Sequence, residues 1–476
     1  MTHNSTVLDP ALLDRFAGLV GERHAVRAEA DIAPYVTERR GLYPGLSSLV
    51  LRPGSVEEVS AIMKLATETK TSIVPQGGNT GLVGGQVPDR TGGQIVLSLS
   101  RLNRIREIDV RSNTATVEAG VILETLHEAV DKVDRLYPLS LASQGSCEIG
   151  GNLSSNAGGT GVLAYGNARE LCLGVEVVLP TGEVFDDLRK LKKDNTGYDL
   201  KNLFVGAEGT LGVITAAVLK LFPKPKGREV AWVGLSSPEA ALDLFGRATE
   251  QAGSSLTAFE LISEMVLGFS LKHTPDTHRP LQSEWPWHVL VEISSGRSAE
   301  DARALMEEVL EAGFEAGVVG DAVIATNLSQ AAAFWRLRES LSDAQRPEGA
   351  SIKHDISVPV ASIPEFIERG AAAVASVSPQ ARIACFGHMG DGNLHYNISQ
   401  PAGGDGEAFL KLYRPMNKAV HDIVRALNGS ISAEHGIGQL KRDELIATAP
   451  AVGIDLMRRV KAAFDPAGIM NPGKVI

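Results

Sequence analysis

The chain has 476 residues, 43% apolar and 22% charged, which fits an ordinary globular protein long enough for two or three domains and excludes a disordered, collagenous or coiled-coil one. Asp plus Glu (57) exceed Lys plus Arg (46), and the net charge of -11 offers no general attraction to nucleic acid or anionic lipid. No segment reaches the ~18 apolar residues of a spanning helix, residues 1–10 have neither a basic start nor an apolar run, and the cysteines Cys147, Cys172 and Cys385 form no disulfide or zinc pattern. A reducing, cytoplasmic setting is the expectation.

In chain order, 47–52 and 94–99 read as strands, and 55–70 (SVEEVSAIMKLATETK) as an amphipathic helix with Ser55 and Glu58 at capping-box spacing. Strands follow at 114–119 and 174–179, and 206–222 (GAEGTLGVITAAVLKLF) is a turn leading into a buried strand. The run 223–227 (PKPKG) breaks the pattern and marks a boundary, so 1–225 are read as one domain. The next, 226–430, is α+β: a strand at 288–293, helices at 298–312 and about 329–344, and an alternating strand at 351–358. That strand would carry Lys353, Asp355 and Ser357 on one face and Ile352, Ile356 and Val358 on the other. Residues 383–398 read as strand, glycine turn, strand, and 431–476 as a helical segment ending in Asn471, Pro472 and Gly473. The fold class is α+β.

The 49 glycines, about 10% of the chain against a usual ~7%, are concentrated in loops. Segments 76–85 (QGGNTGLVGG) and 145–161 (GSCEIGGNLSSNAGGTG) can turn consecutive backbone N–H groups toward a pyrophosphate. Neither has the P-loop or dinucleotide-fold fingerprint, and as isolated features both could be tight turns.

A second cluster is richer in chemistry. His388 and His395 flank the Gly390-Asp391-Gly392 turn, and Glu434 and His435 precede Gly436 and Gly438. Two imidazoles and a carboxylate suit zinc or another divalent transition metal; hydrogen-bonded structural histidines are the alternative. Asn397 would share the strand face of His395. In the helix around 329–344, Arg338 and Ser342 are four apart and so neighbours. Arg338 and Lys353 suit carboxylate recognition, although most such cations are simply solvated.

The ordered motifs QGGNTG, GSCEIGGNLSSNAGG and VGAEGTLGVITA resemble the two-subdomain FAD-binding domain of the vanillyl-alcohol oxidase and p-cresol methylhydroxylase superfamily. HMGDGNLHYN and ISAEHGIG resemble its D-lactate and D-2-hydroxyglutarate dehydrogenase branch. The resemblance runs through nearly the whole chain. It implies that Pro75, Gly77, Gly78, Asn79, Thr80, Gly81 and Leu82 hold the FAD pyrophosphate and ribityl region. It further implies that Ser146, Gly150, Asn152, Ser155 and Asn156 line the flavin, that Gly209, Gly212 and Ile214 complete the adenine side, and that Asn471 returns to the flavin. Asn79 stands where covalently flavinylated members carry His, so FAD is expected to bind non-covalently. His388, His395 and Glu434 would be metal ligands, Zn2+ foremost, with His435 the catalytic base.

By the same resemblance a cap domain binds the substrate, with Arg338, Ser342, Lys353, Asn397 and His435 as its contacts. Two cations and a metal favour a D-2-hydroxy dicarboxylate, D-2-hydroxyglutarate ahead of D-malate, oxidised by hydride transfer to flavin N5. The alternatives are a D-lactate or glycolate dehydrogenase, a flavin-dependent alcohol oxidase without the metal, and a flavin-free metallohydrolase. The resemblance implies an electron-transfer flavoprotein or a quinone as electron acceptor, and a homodimer is allowed for.

Overall fold

The computed structural model describes residues 8–476; of the segment read as lacking a leader, residues 1–7 lie outside the described residues. The chain forms two compact units. One contains the chain up to Gly158, Asn167–Pro223 and Glu434–Ile476; the other contains Gly159–Gly166 and Lys224–Ala433. No described helix is long and apolar enough to cross a membrane.

The first unit is built on two sheets. In the four-stranded one, Val50–Leu51 and Ser72–Gln76 run parallel to Gln94–Ser98, and parallel neighbours require a crossover. The helix Val56–Thr69 supplies it and buries Val59, Ile62, Met63 and Ala66 with Ile73, Ile95 and Leu97. Its N-cap Ser55 accepts the Glu58 N–H at 3.3 Å, while the Glu58 carboxylate reaches the N–H of Gly54 (2.7 Å), one residue before the cap. The strand expected over 47–52 is only Val50–Leu51; before it Ser47 makes isolated bridges to Gly92 and Gly93, and its hydroxyl is shared between the carbonyls of Leu49 and Gln94 (both 2.8 Å). The second sheet is antiparallel and five-stranded, with the almost wholly buried Val213–Lys220 at its centre. Beside Ser72–Gln76, the Ile73 N–H donates to Ile469 (2.8 Å) and the Asn471 N–H to Ile73 (2.8 Å), so the last residues of the chain extend the first sheet. The C-terminal segment is helical over Arg442–Thr448 and Ala451–Phe464 only; the glycines at 436 and 438, both at positive φ, keep the stretch before them in a loop.

The second unit carries an eight-stranded sheet, antiparallel at each of its strand pairs. One face, with Val233, Leu261, Val291, Tyr396 and Ile398, is buried under helices Pro238–Ala252, Ala299–Glu315, Ile363–Val377 and Tyr413–Ala426. The other is apolar at one end, where Trp232, Ile262, Leu290 and Phe386 meet helices Glu264–His273 and Leu328–Ser340. Toward Asn393–Ser399 the same face turns polar.

Two expectations are corrected. The strand over 351–358 is broken into Ser351–Ile352 and Asp355–Ser357, because the backbone N–H of His354 is taken by the Asn397 side chain (3.3 Å). Asp355, expected on a polar face with Lys353, is buried. The helix near 329–344 ends at Ser340, after which the Asp343 N–H closes on Ser340 (3.1 Å). Ser342 is therefore outside the helix and exposed, whereas Arg338 is buried.

Candidate active site

In the first unit, three glycine-bearing loops converge on one cavity. Segment 77–85 leaves the strand Ser72–Gln76 and is anchored by the Gln76 amide, which donates to the carbonyls of Tyr35 and Gln86 (both 2.8 Å). At Gly78 a Cβ would lie 1.9 Å from the Ser146 carbonyl oxygen, so only glycine lets the first and second loops cross there. The second loop enters the helix Ile149–Ser154, where the Gly150 N–H donates to Ala119 (2.7 Å). The third, 206–212, precedes Val213–Lys220 and is tied to the C-terminus by Asn471, whose amide donates to Gly85 (2.9 Å) and Glu208 (2.8 Å).

The cavity brings together Pro75, Gly77, Gly78, Asn79, Thr80, Gly81, Gly150, Asn152, Ser155, Gly209, Gly212, Ile214 and His435. Leu82, Ser146, Asn156 and Asn471 are not among its lining residues. Ser146 is exposed, with its hydroxyl on Ser143 (3.3 Å), and the Asn156 side chain accepts the Arg169 N–H (2.9 Å). Among the described residues, buried atoms without a hydrogen-bond partner include Asn79 Oδ1, Glu148 Oε2, Asn152 Nδ2 and Asn471 Oδ1. Such groups are seldom left unpaired in a native interior, and here they and the glycine cradle fit a large polar cofactor. Cys147 is buried, and that burial pushes its thiol up, which disfavours a nucleophilic thiolate.

Glu208 was not anticipated. Its carboxylate accepts the N–H groups of Ile437 (2.7 Å) and Gly438 (2.8 Å), fastening the loop that carries His435. Burial pushes its carboxyl up against the pull of those two N–H bonds. A Cβ on Gly438 would meet the Val83 carbonyl at 2.3 Å, so the same loop also abuts the first glycine loop. His435 thus sits on a segment fixed to the cofactor cradle.

In the second unit the polar cluster follows from strand register. His395 pairs with Phe386 and Asp355, and His388 pairs with Glu260 on the next strand, Leu256–Ser263. Alternation buries Leu394, Tyr396 and Ile398 on the helix-covered face and places Asn393, His395 and Asn397 on the other. The His388 and His395 ring centroids are 5.9 Å apart, edge to face. Asn393 donates to Asp355 (3.0 Å). Lys353 lies in the break between the two short strands.

Glu260, 1% exposed, was also missed, and it organises this cluster. It accepts from His388 Nδ1 (2.7 Å) and Arg338 Nε (2.9 Å). Burial opposes its ionisation, but the His388 and Arg338 charges outweigh that and hold the carboxyl at about 2. Arg338 also lies over the Phe386 ring, 5.1 Å from its centroid. Arg338 is therefore engaged in a buried ion pair that fixes one of the two histidines.

The comparisons agree with both units. A family model described as FAD binding domain matches residues 47–187, and one described as FAD linked oxidases, C-terminal domain, matches 224–475. The chain is 39% identical over 432 residues to the D-2-hydroxyglutarate dehydrogenase, mitochondrial, of Danio rerio, covering 91% of this chain and 79% of that one. It is 38% identical over 423 residues to the D-2-hydroxyglutarate dehydrogenase of Xanthomonas citri pv. viticola, covering 89% and 88%. Among solved structures, p-cresol methylhydroxylase with substrate bound superposes with a TM-score of 0.77 at 16% identity, covering 99% of this chain and 98% of that one; this shows the fold alone. A glycine cradle ringed by orphaned polar groups accords with those matches: the chain belongs to the FAD-linked oxidases, in the family of the D-2-hydroxyglutarate dehydrogenases named above, oxidoreductases acting on CH–OH groups, and has the fold of p-cresol methylhydroxylase.

Proposed function

We propose that the protein oxidises D-2-hydroxyglutarate, with D-malate as a weaker substrate, to the 2-oxo acid, using non-covalent FAD and a divalent metal of the zinc type. The observation that carries the reading is the pairing of a CH–OH oxidoreductase fold with a buried imidazole and carboxylate cluster. The names of the relatives at 38–39% identity support the substrate. Non-covalent binding is supported by Asn79, whose amide is already committed to the carbonyls of Pro34 (2.8 Å) and Thr37 (2.9 Å), and by the buried Cys147 thiol.

FAD, when bound, supplies the hydride acceptor at its N5. His388, His395 and Glu434 are the proposed metal ligands, and a divalent ion, when bound, supplies Lewis acidity toward the substrate hydroxyl. The donor types fit, and Glu260 on His388 Nδ1 leaves Nε2 as the ligating atom, in the pattern by which a carboxylate orients a metal-binding imidazole. His435 takes the hydroxyl proton, Lys353 and Asn397 receive substrate oxygens, and Arg338 contributes through Glu260 and its positive charge. Ser342, exposed just beyond the end of the helix, is the remaining proposed substrate contact. For the electron acceptor, an electron-transfer flavoprotein or a quinone is proposed.

His388→Ala should yield a yellow, inactive protein, since every residue lining the flavin cavity lies in the first unit and the substitution lies in the second. Flavin absorbance, metal content and turnover with an artificial acceptor check this. Activity surviving in the variant after chelator treatment would remove the metal from the mechanism.

A further inference from the structure

Of the polar atoms left unpaired around the cofactor cavity, Glu148 Oε2 stands apart because it belongs to an acid. Glu148 lines the cavity with Gly77, Gly151, Leu99 and Glu208, and the residue is 7% exposed. Its Oε2 has no hydrogen-bond partner among the described residues, and a Cβ added to Gly77 would lie 3.4 Å from it, so the carboxyl faces the loop 77–85. The other carboxylate there, Glu208, is already satisfied by two backbone N–H groups.

An ionised, unpaired carboxylate is a poor neighbour for a cofactor that brings two phosphates into the same cavity. A neutral carboxyl both donates and accepts hydrogen bonds. We propose that Glu148 is a FAD-binding residue that meets the cofactor through a protonated carboxyl acting as hydrogen-bond donor. The inference rests on FAD binding and is independent of the substrate or metal.

The surroundings are consistent with it. Burial pushes the Glu148 carboxyl up to about 8, with Arg52 pulling it down from a distance. Arg52 is occupied by the Ser100 hydroxyl (3.4 Å). Of the other titratable groups, Glu208 and His435 line the cavity from the loops that carry them, and Cys147 adjoins Glu148 in the chain with a thiol that burial pushes up. Bound FAD adds negative charge, which favours the protonated form further.

If the bound state needs the proton, affinity is full below the carboxyl's pKa and falls by about tenfold per pH unit above it. The test is FAD retention by the holoenzyme, followed by flavin absorbance and by the fluorescence of released flavin across neutral and alkaline pH, for wild type, Glu148→Gln and Glu148→Ala. Glu148→Gln keeps shape and a donor but cannot ionise, so it should hold FAD at neutral pH as wild type does and lack the alkaline loss. Glu148→Ala should weaken FAD several-fold, up to about tenfold, already at neutral pH. The same alkaline profile in wild type and Glu148→Gln would overturn the proposal, and so would full FAD affinity in Glu148→Ala. If the alanine variant fails to fold, the comparison of wild type with Glu148→Gln still decides.

Discussion

His435→Asn should lose about 100- to 10,000-fold in kcat, the usual contribution of a positioned general base, while keeping its FAD. His435 lines the flavin cavity, and its loop is held by Glu208 through Ile437 and Gly438 at 2.7 and 2.8 Å. The substitution removes the proton acceptor without disturbing that anchorage, since Asn retains a polar side chain of similar reach. Flavin absorbance, metal content and the pH dependence of kcat/KM separate the outcomes. A variant with wild-type turnover, or one whose pH profile is unchanged from wild type on its acidic side, would transfer the role of base to another group. Glu208→Ala should act in the same direction through the loop, with FAD and metal retained.

Arg338→Met should destabilise the fold by about 3–5 kcal/mol, the cost of breaking a buried ion pair from one side. Glu260, 1% exposed, would lose the guanidinium at 2.9 Å and keep only His388. Because His388 shares that carboxylate, oxidation of D-2-hydroxyglutarate, D-malate and D-lactate should decline together. Lys353→Met, at the half-buried break between two short strands, should destabilise the fold less than Arg338→Met and reduce kcat/KM for the dicarboxylates more than for D-lactate, which has only one carboxylate. Urea midpoints and the three kcat/KM values distinguish the roles. A fully stable Arg338→Met with a selective loss on dicarboxylates would make Arg338 a direct substrate contact.

Segments with a clear period were the most legible. The helix Val56–Thr69 and the strands Val213–Lys220 and Trp287–Ser295 lie where the apolar pattern places them, the helix by its one buried face and the strands by runs buried on both faces. The break at Lys353 and His354 was not, since a perfect alternation conceals that the Asn397 side chain takes a ladder N–H. The unit composition was only partly marked: Pro223 ends one segment at the PKPKG run, but Gly159–Gly166 belongs with the second unit without any change in local composition.

The glycine loops and histidines announced themselves by residue type, whereas the acids that hold them in place did not. Glu260 is the one charged residue in a fully buried strand, LTAFELIS, which is a sign of a partnered buried carboxylate. Its partners, however, are 78 and 128 residues away, and no local pattern names them. Glu208 and Glu148 sit inside the glycine motifs themselves, where the glycines draw attention away from them; their roles become visible only when separate loops meet at one cavity.

The most direct test of the assigned chemistry is anaerobic mixing of the purified, oxidised holoenzyme with D-2-hydroxyglutarate while the visible flavin band is recorded. Stoichiometric bleaching is expected with the D enantiomer, slower bleaching with D-malate and D-lactate, and none with the L enantiomer. An oxidised flavin spectrum unchanged by D-2-hydroxyglutarate, in protein that contains both FAD and metal, would contradict the account.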